Sequence, residues 1–181
     1  MFSCTNDFNI ICNKEVDFKL YLFILSFFVD YEVVNLHSIS MAEMHRRYVA
    51  IGGDINYQTF KKRFRYLIEV GVFKEVIYFE EKCLEINQKN IFSVHNSIID
   101  KLIELDSESI RMYFWLSYKY VPDRYDLVVK VSDIIIDTGR SVTNMLCKAK
   151  YKKAMLELGE KTIVGYEEIQ NGVYRIFLVK T

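Results

Sequence analysis

Thr59 to Phe73 reads TFKKRFRYLIEVGVF, a basic amphipathic helix that closes on LIEVG and runs on into apolar, strand-forming residues. Placed at about 100° per residue, Asn56 to Val70 gathers Phe60, Phe64, Leu67 and Ile68 into one narrow arc, the stripe such a helix buries. The opposite arc carries Gln58, Lys62 and Arg65, with Thr59 and Tyr66 on one shoulder and Lys61 on the other.

The pattern recurs. LIEVG at Leu67 to Gly71 returns as MLELG at Met155 to Gly159, 88 residues later, again at the end of a basic stretch and again before residues rich in Val, Ile, Tyr and Phe. A glycine turn precedes each copy, Gly52-Gly53 and Gly139. Before each turn lies a shorter helix opened by an N-cap serine, Ser40 in ISMAEMHRRYVAI and Ser132 in VSDIIIDT. Upstream again come long apolar helices, Val16 to Asp30 and Ser107 to Tyr120, and before them two brief extended pieces, FNIICN and FSVHN. The polar run Asn87 to Asn90 is the break between copies, which gives domains 1–88 and 89–181, with a connecting helix at about 97–105.

Both copies end in a hairpin. TIVGYEEI and VYRIFLV flank Asn171-Gly172, a pair that favours a type I′ turn; KEVIYF and CLEI around Glu80-Glu81-Lys82 form a poorer version. Helix, short helix, turn, longer basic helix and hairpin is the order of a winged helix, a helix-turn-helix with a β wing. The expected fold class is therefore α+β, mainly helical, with two tandem winged-helix domains.

Composition narrows the function classes. The chain is 51% hydrophobic and 15% aromatic with one proline, which is too apolar for disorder and sufficient for cores. Its longest apolar run, Leu20 to Val29, is far shorter than a membrane span, and Asp7, Glu15 and Asp17 stand where a secretory leader would be basic, so a cytoplasmic protein is expected. Cys4, Cys12, Cys83 and Cys147 form no C-x-x-C pair, and His37, His45 and His95 lie far from them, so neither metal nor cofactor is expected.

The formal net charge is zero, yet the charge is segregated. Asn56 to Tyr66 holds four cations and no acid, and Arg140 to Lys153 holds five and no acid; outside them 15 Lys and Arg face 24 Asp and Glu, a formal −9. Ordinary solvated helices mix Glu with Lys, whereas a surface meant for phosphates excludes carboxylates. Double-stranded DNA is accordingly the expected partner. Gln58, Thr59, Lys61, Lys62 and Arg65 are the candidate contacts in the first copy, since Gln pairs with adenine, Arg or Lys with guanine, and further cations with phosphate. Arg46 and Arg47 on the preceding helix add backbone contacts, and His45 beside them reads as a phosphate contact. In the second copy, Val142, Met145, Leu146, Ala149 and Leu156 form the apolar side, which turns Thr143, Cys147, Lys150 and Tyr151 outward with Lys148 beside them and leaves Lys152 and Lys153 near the core arc; Arg140 leads this segment. Glu80-Glu81 and Glu167-Glu168 make the wings poor phosphate binders, with only Lys82 and Arg175 placed to help.

Through TFKKRFRYLIEVGVF the chain resembles the winged-helix superfamily, and FSVHNSIIDKLIELDSESIRMYFWLSYKY (Phe92 to Tyr120) is similar to the opening of winged-helix domains in plasmid and phage replication proteins of low-GC Gram-positive bacteria. The resemblance implies sequence-specific DNA binding in replication initiation, partition or transcription control, with one domain reading DNA and the other dimerising or adding a second contact. The alternative is a tandem winged-helix protein-protein interaction module in a chromosome-organising or replication complex, which the acidic wings and zero net charge favour. A homodimer, or a replication or regulatory protein as a further partner, is compatible with either. No enzyme is expected: G-x-x-x-x-G-K-[ST], G-x-G-x-x-G and G-x-S-x-G are all absent. Phe114, Trp115 and Tyr118 could line a small-molecule pocket, against a plainer role in core packing.

Overall fold

The computed structural model describes residues 2–28, 33–35, 39–87, 91–120 and 127–181. Capping side chains set most of the helix starts. After β1 (Phe2–Thr5), Asp7 caps the single turn α1 (Phe8–Ile11), and the Asp17 carboxylate accepts from the Leu20 N–H at the head of α2 (Phe18–Leu25). Seven of the eight α2 residues are buried, as expected of a helix that is apolar all round, and it runs on as a 3-10 turn, Ser26–Phe28. Then follow β2 (Val33–Asn35), α3 (Met41–Ala50) capped by Ser40, α4 (Tyr57–Glu69) capped by Asn56, β3 (Phe73–Tyr78) and β4 (Glu81–Ile86). Ser40 is the expected cap, and α4 has the expected span.

The second half opens with β5 (Ile91–Val94), α5 (Asn96–Leu102) and α6 (Ser107–Lys119). It continues through β6 (Leu127–Lys130), α7 (Val131–Asp137), α8 (Met145–Glu160), β7 (Val164–Gln170) and β8 (Val173–Val179). The chain is thus mixed α+β, with more helix than strand and small antiparallel sheets. Two of these share one layout: β2-β4-β3 in the first half and β6-β8-β7 in the second, so a short strand after the first long helix pairs with the last strand of its own half. The third sheet, β1-β5, ties the first described strand to the one that opens the second half.

Several local expectations are corrected. FNIICN is helical at Phe8–Ile11, because the Asp7 carboxylate accepts from the Asn9 N–H and starts a turn. Lys130, not Ser132, is the N-cap position of α7; the Asp133 carboxylate accepts the Lys130 N–H, so the helix begins earlier. The connecting helix is α5, which stops at Leu102, and the expected boundary at 88–89 lies outside the described residues. The left-handed two-residue turn falls in the first hairpin, where Phe79 (φ 50°) and Glu80 (φ 65°) both adopt it; in the second only Gly172 (φ 77°) does, so Asn171-Gly172 is not type I′.

The most consequential correction concerns the repeat. α4 closes with Gly71 at φ 77°, where the Gly71 N–H bonds to the Ile68 carbonyl and the Val72 N–H to the Leu67 carbonyl. α8 closes with the same two bonds, Thr162 to Gly159 and Ile163 to Leu158, but the left-handed residue is Thr162 at φ 57°. Gly159 lies inside the helix. The structural offset between the two helices is therefore 91 residues, three more than the LIEVG and MLELG match suggests. At that offset the buried Phe60, Phe64 and Leu67 of α4 correspond to the buried Tyr151, Met155 and Leu158 of α8.

A continuous core runs through both halves. α2 crosses α6, where Phe114 meets Phe18 at 5.2 Å and Tyr21 at 5.7 Å between ring centroids. Phe114 and Trp115 are buried here and pack the core; the Trp115 Nε1–H donates to Asp137 at 2.8 Å, where Trp115 and Asp137 border an open hollow of about 410 Å3 beside β6.

The two helix ends differ in one testable respect. A β-branched residue in the left-handed region is strained, and Thr162 loses only a 3.4 Å contact from Lys101 on substitution. Thr162→Gly should raise stability by about 0.5–1 kcal/mol, and Gly71→Thr should lower it by about 1–2 kcal/mol. Urea unfolding of both variants measures this.

Candidate nucleic-acid interface

α4 is anchored from beneath. Phe60 is fully buried against Tyr48 and His45 of α3, with ring centroids 5.6 and 5.3 Å away. The His45 ring sits on Tyr57, and its Nε2 lies 2.8 Å from the Ile55 carbonyl oxygen, so it fixes the turn between α3 and α4 and is not the expected phosphate contact. With that side held, Gln58, Lys62, Arg63 and Arg65 are exposed and Thr59 and Lys61 half-buried.

These residues, with Tyr66 and the exposed Glu69, form one wall of an open cleft of about 900 Å3; residues 14–17 and the start of α6, at Ser107, Glu108 and Arg111, form the rest. Its cations are of two kinds. Arg63 reaches across to Asp17 at 2.5 Å, a carboxylate that is itself buried and caps α2. Arg111 is 1% exposed and donates to the carbonyl oxygens of Ile11, Asn13, Lys14 and Val16, at 2.9, 2.6, 3.4 and 2.7 Å. Both are structural. Lys62 and Arg65 meet no carboxylate among the described residues, and Lys61 lies over the Tyr57 ring at 5.1 Å, its charge still open to solvent on one side.

The remaining expected contacts divide differently. Arg46 and Arg47 are exposed but both bond to Glu43, at 2.6 and 2.9 Å. Arg140 is turned inward: its guanidinium donates to Glu108 at 2.7 Å and to the Tyr151 hydroxyl at 2.9 Å. Thr143 precedes α8, which starts only at Met145 under an Asn144 cap, and its hydroxyl lies 2.7 Å from that of Ser141. Lys150 is exposed and Lys148 half-buried, but their neighbours Met145, Leu146 and Leu156, expected to be core, are 72%, 76% and 52% exposed. The buried side of α8 is instead Tyr151, Ala154, Met155 and Leu158, so Tyr151, expected outward, is in the core; Met145, Leu146, Ala149 and Leu156 recur at helical spacing too, and spacing alone does not separate the two faces. Of the wing residues, Arg175 bonds to Glu167 at 3.0 Å. Lys14, on the cleft floor, had no signal in the sequence; Arg111 had one, a lone cation inside the apolar run IRMYFWL.

Glu108 joins the cleft to the second half. Burial raises its pKa, but the hydrogen bond from Arg140 and the charges of Arg111 and Arg140 outweigh that, leaving it below the ordinary carboxylate value. Burial of Arg111 lowers the guanidinium pKa, and Glu108 opposes the shift. Among the described residues no cluster of His, Cys, Asp or Glu could hold a metal, and no helix is long and apolar enough to cross a membrane. Compared with protein-family models, curated proteins and solved structures, the chain matches none.

Arg111→Met should cost about 3–5 kcal/mol, because it takes the donor from the carbonyl oxygens of residues 11, 13, 14 and 16 and leaves the half-buried Glu108 with Arg140 and Tyr151 alone. A depressed carboxylate pKa adds stability that is complete above the unfolded value and lost as pH falls through the folded one. Glu108→Gln should therefore lower Tm at neutral pH and flatten its fall below the ordinary carboxylate range. Thermal unfolding from neutral to acid pH measures both.

Proposed function

We propose that the two halves are tandem winged helices and that the protein binds double-stranded DNA in a sequence-specific manner through α4 of the first. The observation that carries this reading is the state of the α4 face: Gln58, Lys62 and Arg65 project to solvent free of carboxylates, while the other arginines of the cleft and of α3 are held by Asp17, Glu108 or Glu43. Uncommitted cations beside a glutamine suit a surface that meets phosphate and base edges. Sheet orders β2-β4-β3 and β6-β8-β7, each wrapped around a helix pair, support the winged-helix assignment. The contacts are Gln58, Thr59, Lys61, Lys62 and Arg65, with Lys14 at the cleft floor. Replication initiation, partition and transcription control all use such a reader.

The second half serves a different purpose in this proposal. At the 91-residue offset, Gln58 and Arg65 correspond to Ala149 and Leu156, and Lys61 and Lys62 to Lys152 and Lys153. Cations remain, but the amide and the one uncommitted arginine of the α4 face are replaced by apolar residues. This favours the protein-interaction reading for α8, alongside DNA binding by α4.

Lys62→Ala/Arg65→Ala should weaken binding to duplex DNA from the protein's own genetic neighbourhood and reduce the slope of log affinity against log salt by about 2, one for each lost phosphate contact. Lys150→Ala should leave the affinity within about twofold, as expected for a rim cation with no direct contact. Fluorescence anisotropy across a salt series reads both. Wild-type binding that is absent, or untouched by the double substitution, would overturn the assignment.

A further inference from the structure

Four large hydrophobic residues are more than 70% exposed among the described residues, and they occupy only two places: Ile77 and Phe79 at the tip of the first hairpin, Met145 and Leu146 at the start of α8. Neither place is covered by another of the described residues.

The hairpin tip is maintained against its own backbone. Phe79 and Glu80 both sit in the left-handed region, where Asn or Gly would be at ease, and the Tyr78 and Phe79 rings are held edge to face at 4.7 Å. Strain kept at an exposed apolar turn marks a surface that is used. Among its exposed charges the acids outnumber the bases: Glu75, Glu80 and Glu81 are exposed, Glu81 bonded to Asn35, against Lys82 across from Ile77, while Lys74 is paired with Glu85. α8 offers the opposite. From Arg140 to Leu156 the chain has no acid; one turn on from the exposed Met145 and Leu146 stand the half-buried Lys148 and the exposed Lys150, while Lys153 is paired with Glu157.

We propose that the hairpin tip of one copy docks, head to tail, on α8 of a second copy. Phe79 and Ile77 would rest on Met145 and Leu146, with Glu80 facing Lys150. Both patches match in apolar character and oppose in charge, which selects this chain as the occupant over a partner of unrelated chemistry. The contact is heterologous, because the two surfaces differ, so each copy keeps one free tip and one free α8 and assembly continues until it closes as a ring or grows as a filament. This inference does not rest on DNA binding by α4, and it is tested without DNA.

Two variants, each lacking one surface, decide it. Phe79→Ser/Glu80→Lys removes the tip, and Met145→Ser/Lys150→Glu removes the helix surface; all four side chains are exposed, and circular dichroism checks that both variants fold. In sedimentation velocity over the micromolar range, the wild type should pass beyond dimer as concentration rises, and each variant alone should stay monomeric. An equimolar mixture of the two should double in mass and stop there, since the one intact tip meets the one intact helix. A monomeric wild type, self-association of either variant, or a mixture that remains monomeric would overturn the proposal.

Discussion

The joint between the halves depends on a single buried cation. Arg111 lies on α6 of the second half, and its guanidinium gathers the carbonyls of residues 11 to 16 in the first while its flat face lies 4.9 Å from the Phe18 ring centroid. Ile11 ends α1, and Asn13, Lys14 and Val16 lie in the loop to α2; the Asn13 carbonyl also accepts from the Val16 N–H, and Arg111 supplies a donor to the others beside the core. Lysine could not replace it: a compact ammonium has three donors and no planar fork to span several acceptors. Glu108 balances the charge, and through Arg140 and Tyr151 the network reaches α8. One cluster thus fixes the loop, the α2–α6 crossing and the floor of the cleft beside α4.

Around that joint the two halves have kept a layout and lost an equivalence. α4 and α8 end in the same hydrogen-bonded motif and bury matching positions, yet their solvent faces differ in chemistry. The α4 face combines an amide, a hydroxyl and free cations; the α8 face combines lysines with Met145, Leu146 and Leu156. On the proposed reading α8 meets protein rather than DNA, and its exposed apolar residues are what such a contact needs. The single duplication in the sequence therefore supports two proposed surfaces rather than one extended basic track.

Much of the first half was legible in the sequence because its signals are local. Asn56, the Phe60, Phe64 and Leu67 stripe and Gly71 are consistent with one another, so the span of α4 and its outward residues follow directly. The second half misled for identifiable reasons. Gly159 imitates Gly71 in sequence while the real helix end falls on Thr162, a residue no capping rule selects. β2 and β6 were missed because each is three or four residues long and pairs with a strand about 50 residues away, a relation that local periodicity does not carry. Arg140 looked like part of a basic run, but a cation's neighbours in space decide its role, and those are Glu108 and Tyr151.

The central claim is a division of labour between α4 and α8, and amide hydrogen exchange tests it most directly. With wild-type protein at low salt, where any cationic DNA surface is occupied, a mixed-sequence duplex of about 20 base pairs supplies the probe. The account predicts slowed exchange in peptides covering Tyr57 to Tyr66 and unchanged exchange from Met145 to Leu156. Slowing at Met145 to Leu156 with none at Tyr57 to Tyr66 would contradict it.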